Sequence, residues 1–219
     1  MASFVSGGKQ VTLDHYSSEK PGLSPAILLV HGSGGPLRGI DPFARTAAEM
    51  GVQVFVVHYF ERTGHSWVSP AVIKECFLEW LETIRDAVTY IARQPGVDPS
   101  RIGLLGFSLG GFLSTALATQ DARITAVAEL FGGLPDHFAN HVPNMPPVLI
   151  LHGGRDTVVP PAEAEKLESL LEQHRIPYKI KIYTDQGHHF SGLARLDAMR
   201  QVVQFFRRYL QRAPQPNFR

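Results

Sequence analysis

The stretch Gly106-Phe107-Ser108-Leu109-Gly110-Gly111 decides how this chain is read. It follows an apolar run, Ile102-Gly103-Leu104-Leu105, and leads into Phe112-Leu113-Ser114-Thr115-Ala116-Leu117-Ala118, a segment of helical character. In that context a G-x-S-x-G pattern predicts a nucleophile elbow, a serine held on a sharp strand-to-helix turn. So tight a turn forces the serine into a strained backbone conformation, and the residues packed beside it must lack a side chain. The turn also puts the Leu109 N–H at a helix N-terminus, facing any negative charge that develops on a bound carbonyl. The competing reading is a glycine-rich packing turn whose serine only caps the helix.

Outward from the elbow, short runs of Val, Ile and Leu alternate with helical patterns. Strands are expected at Lys9 to Tyr16, Ala26 to Val30, Val52 to Tyr59, Arg101 to Phe107, Ile124 to Phe131, Val148 to Leu151 and Tyr178 to Tyr183. The continuously apolar ones fit strands buried on both faces of a parallel sheet. Helices are expected near Asp41 to Met50, at Pro70 to Arg93, after the elbow, at Pro161 to His174 and at Leu193 to Leu210. The second carries a stripe at Ile73, Phe77, Leu81, Ile84, Val88 and Ile91. This alternation predicts an α/β chain: a mostly parallel, doubly wound sheet with helices on both faces. Gly132 to Pro147 reads as an irregular loop, too short for a large lid, and Ala213 to Arg219 as a frayed tail. No repeat or linker marks a second domain, so residues 1–219 are read as one.

Bulk properties narrow the classes of function. A chain of 219 residues can bury roughly 70% of its unfolded surface, enough for a full core. Twenty-one basic against 20 acidic residues leave a formal charge of +1 with no basic stripe, which disfavours nucleic acid and anionic membranes as partners. No apolar run approaches the ~20 residues of a membrane span. The N-terminus shows no charged segment followed by an apolar one, so a cytoplasmic location is expected. The single cysteine, Cys76, excludes an internal disulfide and a multi-cysteine metal site, and is read as a small packed thiol.

A serine hydroxyl needs a base to take its proton, and the base needs an acid to orient it. On a sheet of this kind the expected order is serine, acid, histidine. After Val148–Leu151 comes His152-Gly153-Gly154-Arg155-Asp156, and after Tyr178–Tyr183 comes Thr184-Asp185-Gln186-Gly187-His188-His189-Phe190. Both loops leave the carboxyl edge of the sheet, the edge that carries the elbow and where ligands bind in open α/β sheets. Ser108, Asp156 and His188 are therefore the expected nucleophile, acid and base. His188 follows Gly187, and Phe190 can pack inward to fix the loop; His189 is the alternative base. Glu129 and Asp136 rank behind Asp156, which could also be a simple helix cap. The glycines of His31-Gly32-Ser33-Gly34-Gly35-Pro36, after Leu28-Leu29-Val30, let backbone amides approach a carbonyl oxygen. The Ser33 and Leu109 N–H groups form the expected oxyanion hole, and His31 is read as a structural group of that loop. His137 and His141 stand four apart, as metal ligands on a helix would, but the prolines around them argue against a sustained helix and a metal site. His58 and His65 are expected to shape the cleft edge.

On these residues the chain, from about Ala26 to Leu210, resembles the α/β-hydrolase superfamily and its dienelactone hydrolase-like branch. The resemblance implies the same roles for Ser108, Asp156 and His188, and oxyanion amides from Ser33 and Leu109. It also implies a cysteine nucleophile, where this chain has Ser108, and a glutamate before the oxyanion residue, where it has Gly32. Of two arginines that grip the substrate carboxylate, Arg62 matches one in position; Ser191-Gly192 stand where the other is expected. Arg62 follows the strand Val52–Tyr59, so it leaves the carboxyl edge near a bound substrate, where a guanidinium pairs bidentately with a carboxylate. The alternative is a pair with Glu61 or a nearby loop acid. The expected function is hydrolysis of small carboxylic esters through an acyl-enzyme, with no cofactor and no metal. A thioesterase or small peptidase would use the same residues, and a non-catalytic ligand-binding protein is the remaining alternative.

Overall fold

The computed structural model describes residues 2–36 and 39–211; the expected tail at Ala213 to Arg219, and positions 37 and 38 of the loop after the third strand, lie outside them. Its eight strands are β1 (Ala2–Ser6), β2 (Lys9–Tyr16), β3 (Ser24–Val30), β4 (Gln53–Val57), β5 (Val97–Phe107), β6 (Ile124–Leu130), β7 (Val148–Gly153) and β8 (Tyr178–Tyr183). They form one sheet in the order β1-β2-β4-β3-β5-β6-β7-β8. The first two pairings, β1 with β2 and β2 with β4, are antiparallel; every later pairing is parallel.

Among the described residues the α-helices are α1 (Asp41–Glu49), α2 (Pro70–Ile91), α3 (Leu109–Ala118), α4 (Ala162–Gln173) and α5 (Gly192–Leu210). They cover both faces. β3, all of whose residues are buried, pairs with β4 and β5 at the centre, and its Ala26–Val30 stretch reads as a continuous apolar run, as expected of a strand with helices above and below. One core cluster carries Trp80, Ile84 and Leu113 against one face of the sheet. The other carries Phe43, Val202, Phe205 and Phe206 of α1 and α5 against the opposite face.

Three departures from the sequence expectations have local causes. The hairpin strand β1 was not anticipated: Gly7 and Gly8, at φ 53° and 76°, make the two-residue turn that joins it to β2. The core stripe of α2 is centred on Trp80, which is fully buried, whereas Ile73 and Phe77 are only partly so. Trp80 is held there because its indole N–H donates to Thr63 Oγ1 at 3.0 Å. The loop expected at Gly132 to Pro147 contains 3-10 turns over Asp136–Asn144, spanning Pro143. No helix among the described residues is long and apolar enough to cross a membrane.

Candidate active site at the carboxyl edge of the sheet

The elbow has the backbone its sequence demands. Ser108 sits at φ 53° and ψ −119°, a left-handed conformation rare for a residue with a Cβ. The chain turns so sharply from β5 into α3 that a Cβ on Gly106 would lie 2.2 Å from Gly110 O, and one on Gly110 would lie 2.1 Å from Val30 O. Two flanking glycines are thus steric requirements of the turn. The Ser108 N–H donates to Leu130 O at 2.8 Å, anchoring the elbow to β6. Leu109 opens α3, so its own N–H has no acceptor within the helix.

The two later loops bring their side chains to this serine. The Ser108 hydroxyl lies 3.0 Å from His188 Nε2, and His188 Nδ1 lies 2.8 Å from Asp156 Oδ2. A Nδ1–H donated to the carboxylate leaves Nε2 as the acceptor for the serine hydroxyl. Asp156 is buried, and its Oδ1 accepts the N–H groups of Val158 and Val159, both at 2.9 Å. Burial by itself would raise the Asp156 pKa, but the His188 bond and the two backbone bonds outweigh it and hold the carboxyl below its ordinary value. His152 stands behind it: its Nε2–H donates to Val159 O at 2.9 Å, fixing the same turn.

The acid and histidine loops are packed backbone to backbone. A Cβ on Gly153 would lie 2.2 Å from Gly187 O, and the Arg155 N–H donates to Gln186 O at 2.9 Å. Phe190 does pack inward, with ring centroids 4.5 Å from both Phe131 and Tyr183. His189, the alternative base, is exposed and has no hydrogen bond to Ser108 or Asp156 among the described residues.

The loop from His31 to Pro36 faces the elbow across a close contact, since a Cβ on Gly32 would lie 3.2 Å from Ser108 Cβ. Three bonds hold its shape: Gly35 N–H to Gly32 O at 3.1 Å, Val68 N–H to Ser33 O at 3.1 Å, and Tyr59 O–H to His31 O at 2.9 Å. His31 is buried, stacks on Tyr59 at 4.2 Å and donates Nδ1–H to Gly32 O at 2.9 Å. Desolvation lowers its pKa to about 4, so at neutral pH it is an uncharged brace for the loop.

Arg62 is not brought to this site. Tyr59–Arg62 folds as a 3-10 turn, which swings the side chain under the β1 hairpin toward α2. There its guanidinium pairs with Glu79 at 3.0 Å and Glu82 at 2.6 Å and donates to Ser6 Oγ at 2.7 Å. The alternative reading of Arg62 as an ion-paired residue was right in kind, but the acids come from a helix rather than from Glu61 or a loop. His58 pairs with Asp14 at 3.0 Å and His65 with Thr63 Oγ1 at 2.9 Å, and neither lines the cleft. Cys76 is buried in α2, and the His137 ring packs at a tilt against Phe138, with centroids 4.3 Å apart.

Ser108, His188 and the Gly32–Gly35 loop open into a cavity of about 560 Å³. Several of its walls were not foreseen. Phe131, at φ 58° directly after β6, packs its ring 5.5 Å from the His188 imidazole. The one hint of it in the sequence was the glycine pair that follows, Gly132-Gly133. Trp67 and Val158 stand exposed at the mouth, and Arg195 of α5 is the one lining side chain with a fixed charge among the described residues.

The chain is similar to known hydrolases in sequence and in fold. Carboxymethylenebutenolidase of Rhodococcus opacus is 30% identical over 200 residues, covering 78% of each chain. A dienelactone hydrolase-like promiscuous phosphotriesterase from metagenomic libraries superposes with a TM-score of 0.84 at 18% identity, over 94% of this chain and 96% of that one. Acylaminoacyl peptidase of Pyrococcus horikoshii superposes at 0.83 and 18% identity, over all of this chain but 42% of its own. The last two show the α/β-hydrolase fold alone. Residues 13–210 match the family model as well, and the chain belongs to the dienelactone hydrolase family of α/β-hydrolases.

Proposed function

We propose that this hydrolase cleaves small carboxylic esters through a serine-bound acyl intermediate, with Ser108 as nucleophile, His188 as base and Asp156 as its orienting acid. The observation that carries the reading is the continuous relay from Ser108 Oγ through the imidazole to a buried carboxylate, at 3.0 and 2.8 Å, opening on a cavity. Ser108 Oγ attacks the ester carbonyl as its proton passes to His188 Nε2. The carbonyl oxygen becomes an oxyanion, stabilised by the N–H groups of Leu109 and Ser33. Its collapse breaks the ester C–O bond, and the departing alcohol takes the proton from His188. Water then repeats the sequence on the acyl-serine: its proton goes to His188, the Ser108–acyl bond breaks, and Ser108 recovers its proton as the acid leaves. Asp156 remains ionised throughout and stabilises the imidazolium that forms twice per cycle. The chemistry asks for no metal or organic cofactor.

Gly32 supports a serine rather than a thiol mechanism. Its position against Ser108 Cβ leaves no carboxylate beside the nucleophile to compete for the base. The test is labelling with a fluorophosphonate, followed by a pre-steady-state burst on p-nitrophenyl acetate. Labelling confined to Ser108, lost in Ser108→Ala, supports the reading. A wild-type protein that neither labels nor turns over an ester refutes it and favours the ligand-binding alternative.

A further inference from the structure

The cavity at Ser108 has two unlike halves. Beside the serine it is lined by the Gly32–Gly35 loop, His188 and Phe131. Away from the serine it runs between α1 and α5 over the sheet, where its walls are Ile40, Phe43, Leu105, Ala198, Met199 and Val202. Ala198, Met199 and Val202 share one face of α5 at i, i+1 and i+4. Phe43, Leu105, Ala198 and Val202 are buried and form its floor, while Ile40 and Met199 are partly exposed at its rim, so this half is a shallow apolar recess open on the Ser108 side. Leu105 stands three residues before the nucleophile on β5, which places the depth of the recess roughly 10 Å from Ser108 at the ~3.3 Å rise of a strand residue.

Among the described residues, the walls of the recess offer a substrate no side-chain hydrogen bond. None of those six side chains carries a donor or an acceptor stronger than the Met199 thioether, and Arg195 sits out at the exposed N-terminal turn of α5. A polar or charged group entering it would lose its hydration without replacement. An alkyl chain would lose nothing and gain about 0.8 kcal/mol for each methylene removed from water, or about fourfold in kcat/KM. Resting on the esterase reading above, the geometry points to an ester that carries a medium-length apolar chain, seated between α1 and α5 with its carbonyl at Ser108.

Two series test this: p-nitrophenyl acetate, butyrate and octanoate vary the acyl side, while ethyl, butyl and octyl acetate vary the alcohol side. The wild type should rise by about tenfold or more in kcat/KM along one series, and that series identifies which side of the ester the recess takes. Ala198→Leu, which fills the recess from α5, should lower the long-to-short ratio by about tenfold, while Met199→Ala should raise it. Thermal melts establish that each variant is folded. A flat dependence on chain length in both series, with acetate still hydrolysed, overturns the inference and leaves the esterase reading standing. If no ester is cleaved, the recess is read directly by the melting temperature of Ser108→Ala with octan-1-ol. A rise absent from the Ser108→Ala/Ala198→Leu double variant upholds the site; no rise overturns it.

Discussion

Glu129→Gln should change how stability depends on pH, by an amount set by the burial of one carboxyl group. Glu129 is fully buried near the end of β6, directly behind the elbow helix. Its Oε2 accepts the Gly132 N–H at 2.7 Å, and its Oε1 has no partner among the described residues. Burial raises its pKa from 4.5 to about 8 against the opposing pull of the Gly132 bond. The folded protein therefore keeps the proton at neutral pH, whereas the unfolded chain gives it up above 4.5. Between the two values the unfolded state binds fewer protons, so this group's contribution is full below pH 4.5 and is lost as pH rises toward 8. At about 1.4 kcal/mol per pH unit, the loss between pH 5 and pH 7 is about 2–3 kcal/mol.

Glutamine keeps the acceptor for Gly132 and has nothing to titrate. Urea unfolding of both proteins at pH 5, 6 and 7 should show the variant gaining about 2–3 kcal/mol on the wild type across that range. The fixed cost of seating an amide there shifts all three points equally and drops out. His31 runs in the opposite sense, because burial lowers its pKa from 6.5 to about 4 and the folded state loses stability as pH falls below 6.5. It is common to both proteins and cancels from the difference. A difference that stays constant from pH 5 to pH 7 would refute the reasoning, since it would mean that Glu129 ionises alike in the folded and unfolded chain.

Four other outcomes follow from the site. Ser108→Ala should lower kcat for ester hydrolysis by about 10⁴–10⁶ with an unchanged melting temperature, and more than a tenth of activity remaining would remove Ser108 as nucleophile. Asp156→Asn should cost about 10⁴ in kcat, because the amide favours the wrong imidazole tautomer; an unchanged kcat would remove the relay. His188→Ala should match the serine loss while His189→Ala changes kcat by less than about tenfold, and steady-state kinetics showing the reverse would move the base by one residue. Arg62→Ala should destabilise the fold by about 1–2 kcal/mol in urea unfolding, since its partially exposed acids screen part of each charged bond. It should alter KM equally for neutral and carboxylate-bearing esters; a selective rise for the latter would return Arg62 to substrate binding.

What the sequence determined by itself was local geometry. Gly106 and Gly110 announce the elbow because a side chain at either would overlap backbone within a few residues of chain or on the adjacent strand. The apolar cores of β3, β5 and β7 were legible because a strand segment buried on both faces is apolar, whereas the start of β5 at Val97, four residues before the expected Arg101, lies in a polar stretch and was not. The acid and histidine loops were legible because they follow such strands on one edge, which fixes their meeting whatever the details between them. His188 was preferred over its neighbour on the strength of Gly187 and Phe190, and the same residues hold the loop in the structure.

Tertiary structure alone decided what depends on elements far apart in the chain. Arg62 leaves the expected edge, yet its partners lie 17 and 20 residues on, in α2, and a third lies in the β1 hairpin. Nothing within reach of Arg62 in sequence reveals that a 3-10 turn points it there. Glu129 looks like any acid at a strand end until α3 covers it and strips its water. The recess is likewise no property of any one segment. Phe43, Leu105, Ala198 and Val202 are ordinary core residues on their own elements, with Ile40 and Met199 packed against them, and only the distance at which α1 and α5 settle on the sheet leaves a space between them. Close contacts within a turn are written in composition; the space left between packed elements is a small difference between large volumes, and a sequence does not carry it in readable form.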